Sequence, residues 1–242
     1  MRRVGILGGM GPEATVLLMQ KLIAAVPARD DADHIPLLVD QNPQVPSRIK
    51  FLIEGEGVDP GPVLAAMAVR LEQAGAAALA MPCNTAHHFA PEVRAAVRVP
   101  FLDMVALAVE RARAEAGAET RAGGRVGILA SPAVRKVGLF DTALAAAGLT
   151  AVYPDDEAAM LGAIRRIKAE GPADAARVVL RAASATLLAE GARVQMIACT
   201  EFSLIADAIA PGAAVFDTLD VLVSAIKDFA QGNGAEGGAA AP

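Results

Sequence analysis

Short apolar runs alternate along this chain with longer stretches whose apolar residues recur three and four positions apart. That is the pattern of buried parallel strands separated by amphipathic helices. The predicted strands are Val4-Gly5-Ile6-Leu7, Pro36-Leu37-Leu38-Val39-Asp40, Ala76-Ala77-Ala78-Leu79-Ala80, Val99-Pro100-Phe101-Leu102-Asp103 and Arg125-Val126-Gly127-Ile128-Leu129. Helices are predicted after Pro12 through Val16, Leu17, Met19, Leu22 and Ile23, then over 63–74, 158–168 and 218–229. Pro12 suits a first helical turn, and Gly75 suits the position just past a helix end. The stretch 41–62, with Pro43, Pro46, Gly55, Gly57, Pro60, Gly61 and Pro62, is a long loop after a strand and a candidate lid. The segment 114–124 reads as a connection, and the Gly/Ala-rich 231–242 as a disordered tail.

The pattern repeats. Arg3-Val4-Gly5-Ile6-Leu7 returns residue for residue as Arg125-Val126-Gly127-Ile128-Leu129. Gly75 stands eight positions before Cys83, and Gly191 stands eight before Cys199. Each glycine ends an amphipathic helix, and each cysteine is followed by residues able to cap another: Asn84-Thr85 in one copy, Thr200-Glu201 in the other. Beyond the cysteines, Phe101-Leu102-Asp103 is echoed by Val215-Phe216-Asp217. The chain reads as a duplicated α/β unit.

Composition narrows the class. The 242 residues suffice for one large or two compact domains, and 54% apolar with 20% charged residues excludes a disordered chain. A net charge of −5 without a Lys/Arg cluster argues against a nucleic-acid partner. With no tryptophan and one tyrosine, Tyr153, platforms for stacking bases or sugars are missing. No apolar run reaches transmembrane length, and Met1-Arg2-Arg3 leads straight into a strand rather than a signal peptide. The expectation is a cytoplasmic protein, with no membrane partner and with both cysteines reduced.

Each candidate for chemistry has two readings. Cys83 sits where a strand ends and a helix can begin, the place where α/β sheets bind ligands and where a positive helix end enriches thiolate. A free cysteine is equally at home in a core. Gly8-Gly9-Met10-Gly11-Pro12 is a glycine-rich turn whose backbone N–H groups could cradle an anion, but it lacks the G-x-G-x-x-G spacing of a dinucleotide site. Arg48 in the loop and Lys168 in the last turn of its helix fit a solvated arginine and a dipole-favoured lysine as well as they fit ligands. Cys83 and His87 have the i, i+4 spacing of a metal pair without an evident third ligand, so no metal is expected.

The matched cysteines decide among reaction types. Two pseudo-equivalent lobes facing one cleft would set one thiol on each side of a substrate. A hydrolytic cysteine enzyme needs one nucleophile with a base, and a redox pair is usually closely spaced. Two opposed acid–bases suit removal of a proton from one face of a carbon and its return to the other, which is racemisation or epimerisation.

The chain resembles the aspartate/glutamate racemase family, most closely its aspartate racemase branch. The resemblance is carried by Gly5-Ile6-Leu7-Gly8-Gly9-Met10-Gly11-Pro12, Asn42-Pro43-Gln44-Val45-Pro46-Ser47-Arg48, Met81-Pro82-Cys83-Asn84-Thr85-Ala86-His87 and Cys199-Thr200-Glu201. It covers nearly the whole chain except the tail. It implies an α/β fold of two pseudo-symmetric Rossmann-like lobes with parallel sheets, 1–100 plus 212–230 and 101–211, with the active site in the cleft between them. It implies an isomerase that works without pyridoxal phosphate, in which Cys83 and Cys199 are proton donor and acceptor. Arg48 and Lys168 would hold the side-chain carboxylate of an acidic amino acid. Asn84, Thr85 and Thr200 would hold its α-carboxylate, and Met10 and Glu201 complete the expected substrate site. A homodimer is implied too.

This sequence also departs from the family pattern. Ser131-Pro132-Ala133 replaces a threonine-rich segment, Phe140 stands near an expected tyrosine, and Ala198 replaces a glycine. A catalytically silent dicarboxylate-binding protein is therefore a second reading. A decarboxylase or another isomerase is a third, disfavoured because decarboxylases usually keep one of the two cysteines.

Overall fold

A computed structural model of the protein describes residues 1–119 and 124–233. Two four-stranded, all-parallel sheets form the described residues' framework. The first contains β1 (Val4–Gly8), β2 (Leu37–Gln41), β3 (Ala78–Ala80) and β4 (Phe101–Leu102), in the order β2-β1-β3-β4. The second contains β5 (Arg125–Leu129), β6 (Thr150–Val152), β7 (Val194–Ile197) and β8 (Ala214–Asp217), in the order β6-β5-β7-β8. The two orders are the same once the second set is renumbered, so the repeat read from the sequence is a repeat of topology. In both sheets the central strand starts one neighbour's register alike: Val4 lies opposite Ala78, and Val126 opposite Val194.

The repeated glycine has one job in both copies. A Cβ on Gly5 would stand 3.1 Å from Leu71 Cβ and 2.8 Å from Leu79 Cδ2. One on Gly127 would stand 3.0 Å from Leu187 Cδ1 and 3.0 Å from Gln195 Cγ. Leu71 lies on α2 (Gly61–Gln73) and Leu187 on α8 (Asp174–Ala189), the helices that lead into β3 and β7. Glycine therefore lets each helix seat directly on its central strand.

Helices cover both faces of each sheet, as parallel sheets require. On the first sheet, α2 and α3 (Ala90–Ala96) pack one face through Leu64, Met67, Leu71 and Val93. The other face meets α1 (Pro12–Ala25) and α10 (Thr218–Gln231) through Leu18, Leu22, Leu222 and Ile226. On the second sheet, α4 (Met104–Glu119), α5 (Pro132–Lys136) and α6 (Asp141–Ala146) cover one face, while α7 (Glu157–Glu170), α8 and α9 (Thr200–Ser203) cover the other. α10 packs against the first sheet, and Arg2 ties it there by donating from Nε to Phe229 O at 2.8 Å.

Several expectations change. Phe101 and Leu102 pair with β3, and Ala214–Asp217 pairs with β7. Lobe boundaries drawn at 101 and 212 therefore assign β4 and β8 each to the wrong lobe: the first sheet extends to Leu102, and the second is complete only at Asp217. The connection placed at 114–124 is helical as far as Glu119, because Ala108, Val109, Ala112 and Ala116 continue a buried stripe through the polar composition. Gln231 still belongs to α10, with Gly232 at φ 80° closing it, so the tail begins later than 231. Residues 234–242 of that predicted tail lie outside the described residues. The strand Thr150–Val152 had no clear sequence signal, being three residues long.

Candidate active site

Cys83 follows β3 by a short loop that His87 holds in place. The imidazole is buried; its Nδ1 donates to Cys83 O at 2.8 Å, while its Nε2 accepts the Met104 N–H at 3.1 Å. An acceptor at Nε2 puts the proton on Nδ1, so the ring is the neutral tautomer. Burial pushes the His87 pKa down, outweighing the upward pull of Asp103. Both ring nitrogens are spent on backbone. The Cys83/His87 spacing thus serves loop anchoring, and among the described residues no cluster of three metal-ligating side chains occurs.

The helix expected at Asn84 and Thr85 is a 3-10 turn (Thr85–Phe89), with α3 starting only at Ala90. Neither residue caps it. Asn84 Nδ2 donates to Thr218 Oγ1 at 2.9 Å, and Thr218 donates to Ile197 O at 3.0 Å, which links the two cysteine-bearing loops behind the site. Thr85 Oγ1 lies 3.1 Å from Ser131 Oγ, across the cleft.

Cys199 occupies the N-cap position of α9 with extended backbone (φ −142°, ψ 120°). Its thiol donates to Glu201 Oε2 at 3.0 Å, and Glu201 Oε1 lies 2.6 Å from Lys168 Nζ of α7. Burial and the Glu201 carboxylate push the Cys199 thiol well up, against a smaller downward pull from Lys168. The expected acidifying effect of a helix N-terminus is overcome here, because a one-turn helix carries little dipole and a buried carboxylate carries a full charge. Burial alone would lower the Lys168 ammonium; the Glu201 carboxylate, with a smaller contribution from both cysteines, raises it.

The two cysteines, each 7% exposed, line one cavity of about 260 Å³. Met10, Arg48, Thr85, Lys168 and Glu201 line it with them. Of the residues expected at the site, Asn84 and Thr200 are not part of this lining; both are buried behind it. Arg48 Nη1 donates to Val45 O and Pro46 O at 3.3 and 3.1 Å, which leaves its buried Nε without a partner. The glycine-rich turn is less of a cradle than expected, since Gly9 N–H is taken by Thr15 Oγ1 at 3.0 Å. It lines an adjoining cavity of about 520 Å³ that shares Ser47, Arg48, Lys168 and Glu201 with the first.

Sequence reasoning missed the wall contributed by Ser131, Glu54 and Arg165. Ser131 keeps a hydroxyl in the cavity despite the altered segment, whereas Phe140 is wholly buried in the second-lobe core. The lid stretch carries a π-helical turn, Lys50–Glu54, which the second lobe holds: Lys136 Nζ donates to Ile53 O at 2.8 Å, and Arg165 Nη2 pairs with Glu54 Oε1 at 3.0 Å. Proline and glycine content marked the loop, but not the partners 83 and 111 positions away.

Paired parallel lobes thus bring one cysteine from each to a common cavity beside basic side chains. The chain belongs to the Asp/Glu/Hydantoin racemase family, whose model matches residues 7–226. The broad specificity amino-acid racemase RacX of Bacillus subtilis is 31% identical over 115 residues, which span 42% of this chain and 45% of that protein, so the match covers less than half of the relative's length. The Picrophilus torridus aspartate racemase superposes with a TM-score of 0.81 at 26% identity, over 96% of this chain and 95% of that one. An aspartate racemase homologue from Pyrococcus horikoshii OT3 shares the fold, with a TM-score of 0.72 at 24% identity over 96% and 100% of the two chains. No helix among the described residues is long and apolar enough to cross a membrane.

Proposed function

We propose that this protein interconverts the L and D forms of aspartate, or of a closely similar acidic amino acid, by a two-thiol mechanism that uses no pyridoxal cofactor. The observation that supports this most directly is the placement of Cys83 and Cys199, from corresponding points of the two lobes, on one cavity with Arg48 and Lys168. One cysteine, as thiolate, removes the α-proton from one face of the substrate; the other, as thiol, returns a proton to the opposite face. The unmatched Arg48 Nε and the Lys168 ammonium supply positive charge for a side-chain carboxylate. The Thr85 and Ser131 hydroxyls offer hydrogen bonds to the α-substituents.

Purified protein incubated with L-aspartate in deuterium oxide, without added cofactor, should accumulate D-aspartate deuterated at Cα. Cys83→Ala and Cys199→Ala should each slow racemisation by about 10²–10⁴-fold, the usual value of a positioned acid or base. Each single variant should still exchange the α-proton of one enantiomer, and the preferred enantiomer should be opposite in the two. Near-parental racemisation by either variant refutes the two-thiol reading. Binding of aspartate without exchange would favour the silent-binder alternative.

A further inference from the structure

We propose that Glu201 is the positioning residue that keeps Cys199 protonated in the resting protein, so that the two thiols enter turnover in different states. Cys199 starts as the acid, and Cys83 is the one free to be the base. This rests on the two-thiol reading above and adds an asymmetry that the chain repeat does not contain.

The geometry carries the argument. Cys199 Sγ and Glu201 Oε2 are 3.0 Å apart, and the two residues are 7% and 8% exposed. A thiolate and a carboxylate in that contact would repel in poor solvent screening, so one proton must lie between them. The ammonium of Lys168, 2.6 Å from the other Glu201 oxygen, holds Glu201 as carboxylate and leaves the proton on sulfur. The charged groups around the thiol are Glu201 on its own helix, Lys168 and Arg165 on α7, and Arg48, Lys50 and Glu54 on the lid; Cys83 faces it from the first lobe. Of these, Glu201 and Lys168 act most strongly, in opposite directions, and with burial the balance favours the thiol. Among the described residues no carboxylate pairs with Cys83 in this way.

The protons balance through a cycle. When Cys83 takes the α-proton and Cys199 gives its own to the opposite face, the protein is left with a Cys83 thiol and a Cys199 thiolate facing Glu201. A proton must then pass from Cys83 to Cys199 to restore the resting state. In the reverse direction the same transfer comes first. Because the equilibrium constant of racemisation is one, kcat/KM stays equal in the two directions, and the asymmetry resides in kcat and KM separately.

The test is a titration that needs no turnover. Thiolate absorbance of Cys199 is followed against pH in the full-length Cys83→Ala protein, alone and combined with Glu201→Gln or Lys168→Met. Glu201→Gln should lower the midpoint by about one pH unit or more, the size of a neighbouring-charge effect. Lys168→Met should raise it, and loosened packing alone would not move the two variants in opposite directions. An unchanged or higher midpoint in Glu201→Gln, or a lower one in Lys168→Met, overturns the proposal. Should Glu201→Gln not fold by circular dichroism, Lys168→Met decides by itself: a rise supports the proposal, and no change or a fall ends it. Racemisation could fail while these shifts hold, or hold while they fail, so the two readings are judged apart.

Discussion

Replacing Asp217 with asparagine should stabilise the protein at neutral pH and leave it nearly unchanged in acid. Asp217 ends β8 behind the Cys199 loop; its Oδ1 accepts the Leu219 N–H at 2.8 Å and the Ser203 hydroxyl at 2.9 Å. Its Oδ2 is buried without a partner. Burial raises the carboxyl from 3.8 to about 6, against the downward pull of those two hydrogen bonds. The unfolded chain releases this proton near 3.8 and the folded one near 6, so between those values the folded state binds more protons. Stability therefore falls as pH rises through that window and is level above it. About two pH units at about 1.36 kcal/mol each gives a cost of about 3 kcal/mol at neutral pH. Asparagine keeps the acceptor for both donors and removes the charge, and its NH₂ takes the same unpartnered position that the protonated carboxyl's OH holds in acid. The net gain should be about 2–3 kcal/mol at pH 7 and within about 0.5 kcal/mol of zero at pH 4. Urea unfolding of parent and variant at several pH values, followed by circular dichroism, reads the difference directly. A difference independent of pH, or a variant less stable than the parent at pH 7, refutes the reasoning.

Arg48→Ala and Lys168→Ala should each cost about 2–5 kcal/mol in kcat/KM for aspartate, the value of a broken desolvated charge pair, and Arg48→Lys should not be silent because lysine loses the planar fork. Chiral chromatography of the product checks this, and activities within a few-fold of the parent refute the carboxylate assignment. His87→Phe should destabilise by about 1–3 kcal/mol for each of the two backbone groups it orphans, Cys83 O and Met104 N–H, whereas the same change at exposed His88 should cost little. Equal urea midpoints for the two variants would show that the imidazole is not the anchor. Arg165→Gln with Lys136→Met should speed hydrogen exchange of the Lys50–Glu54 turn severalfold, in keeping with about 0.2–1 kcal/mol per exposed contact. Unaltered exchange would mean that the lid is held by other contacts.

The architecture was legible before any coordinates because it rests on local signals. Buried strands must be short and apolar, and Gly75, Pro12 and the repeated Arg-Val-Gly-Ile-Leu are written in adjacent residues. The duplication made both cysteines visible, since each inherits its place at the end of a third strand. The same reasoning misjudged 114–119, where polar composition hid a buried stripe, and it drew lobe boundaries just before β4 and before β8, because strand pairing depends on residues far away in the chain. Asn84 and Thr85 are good cap residues that cap nothing. Asn84 is drawn instead to Thr218, 134 positions on, where a buried amide needs a partner. The charge environment of each thiol was beyond local reading. Helix-end logic predicts that both cysteines become more acidic, but the buried carboxylate of Glu201 reverses this for Cys199. Which residue answers a charge is decided by what folding brings within 3 Å of it and by how much water it removes; neither quantity is a property of sequence neighbours.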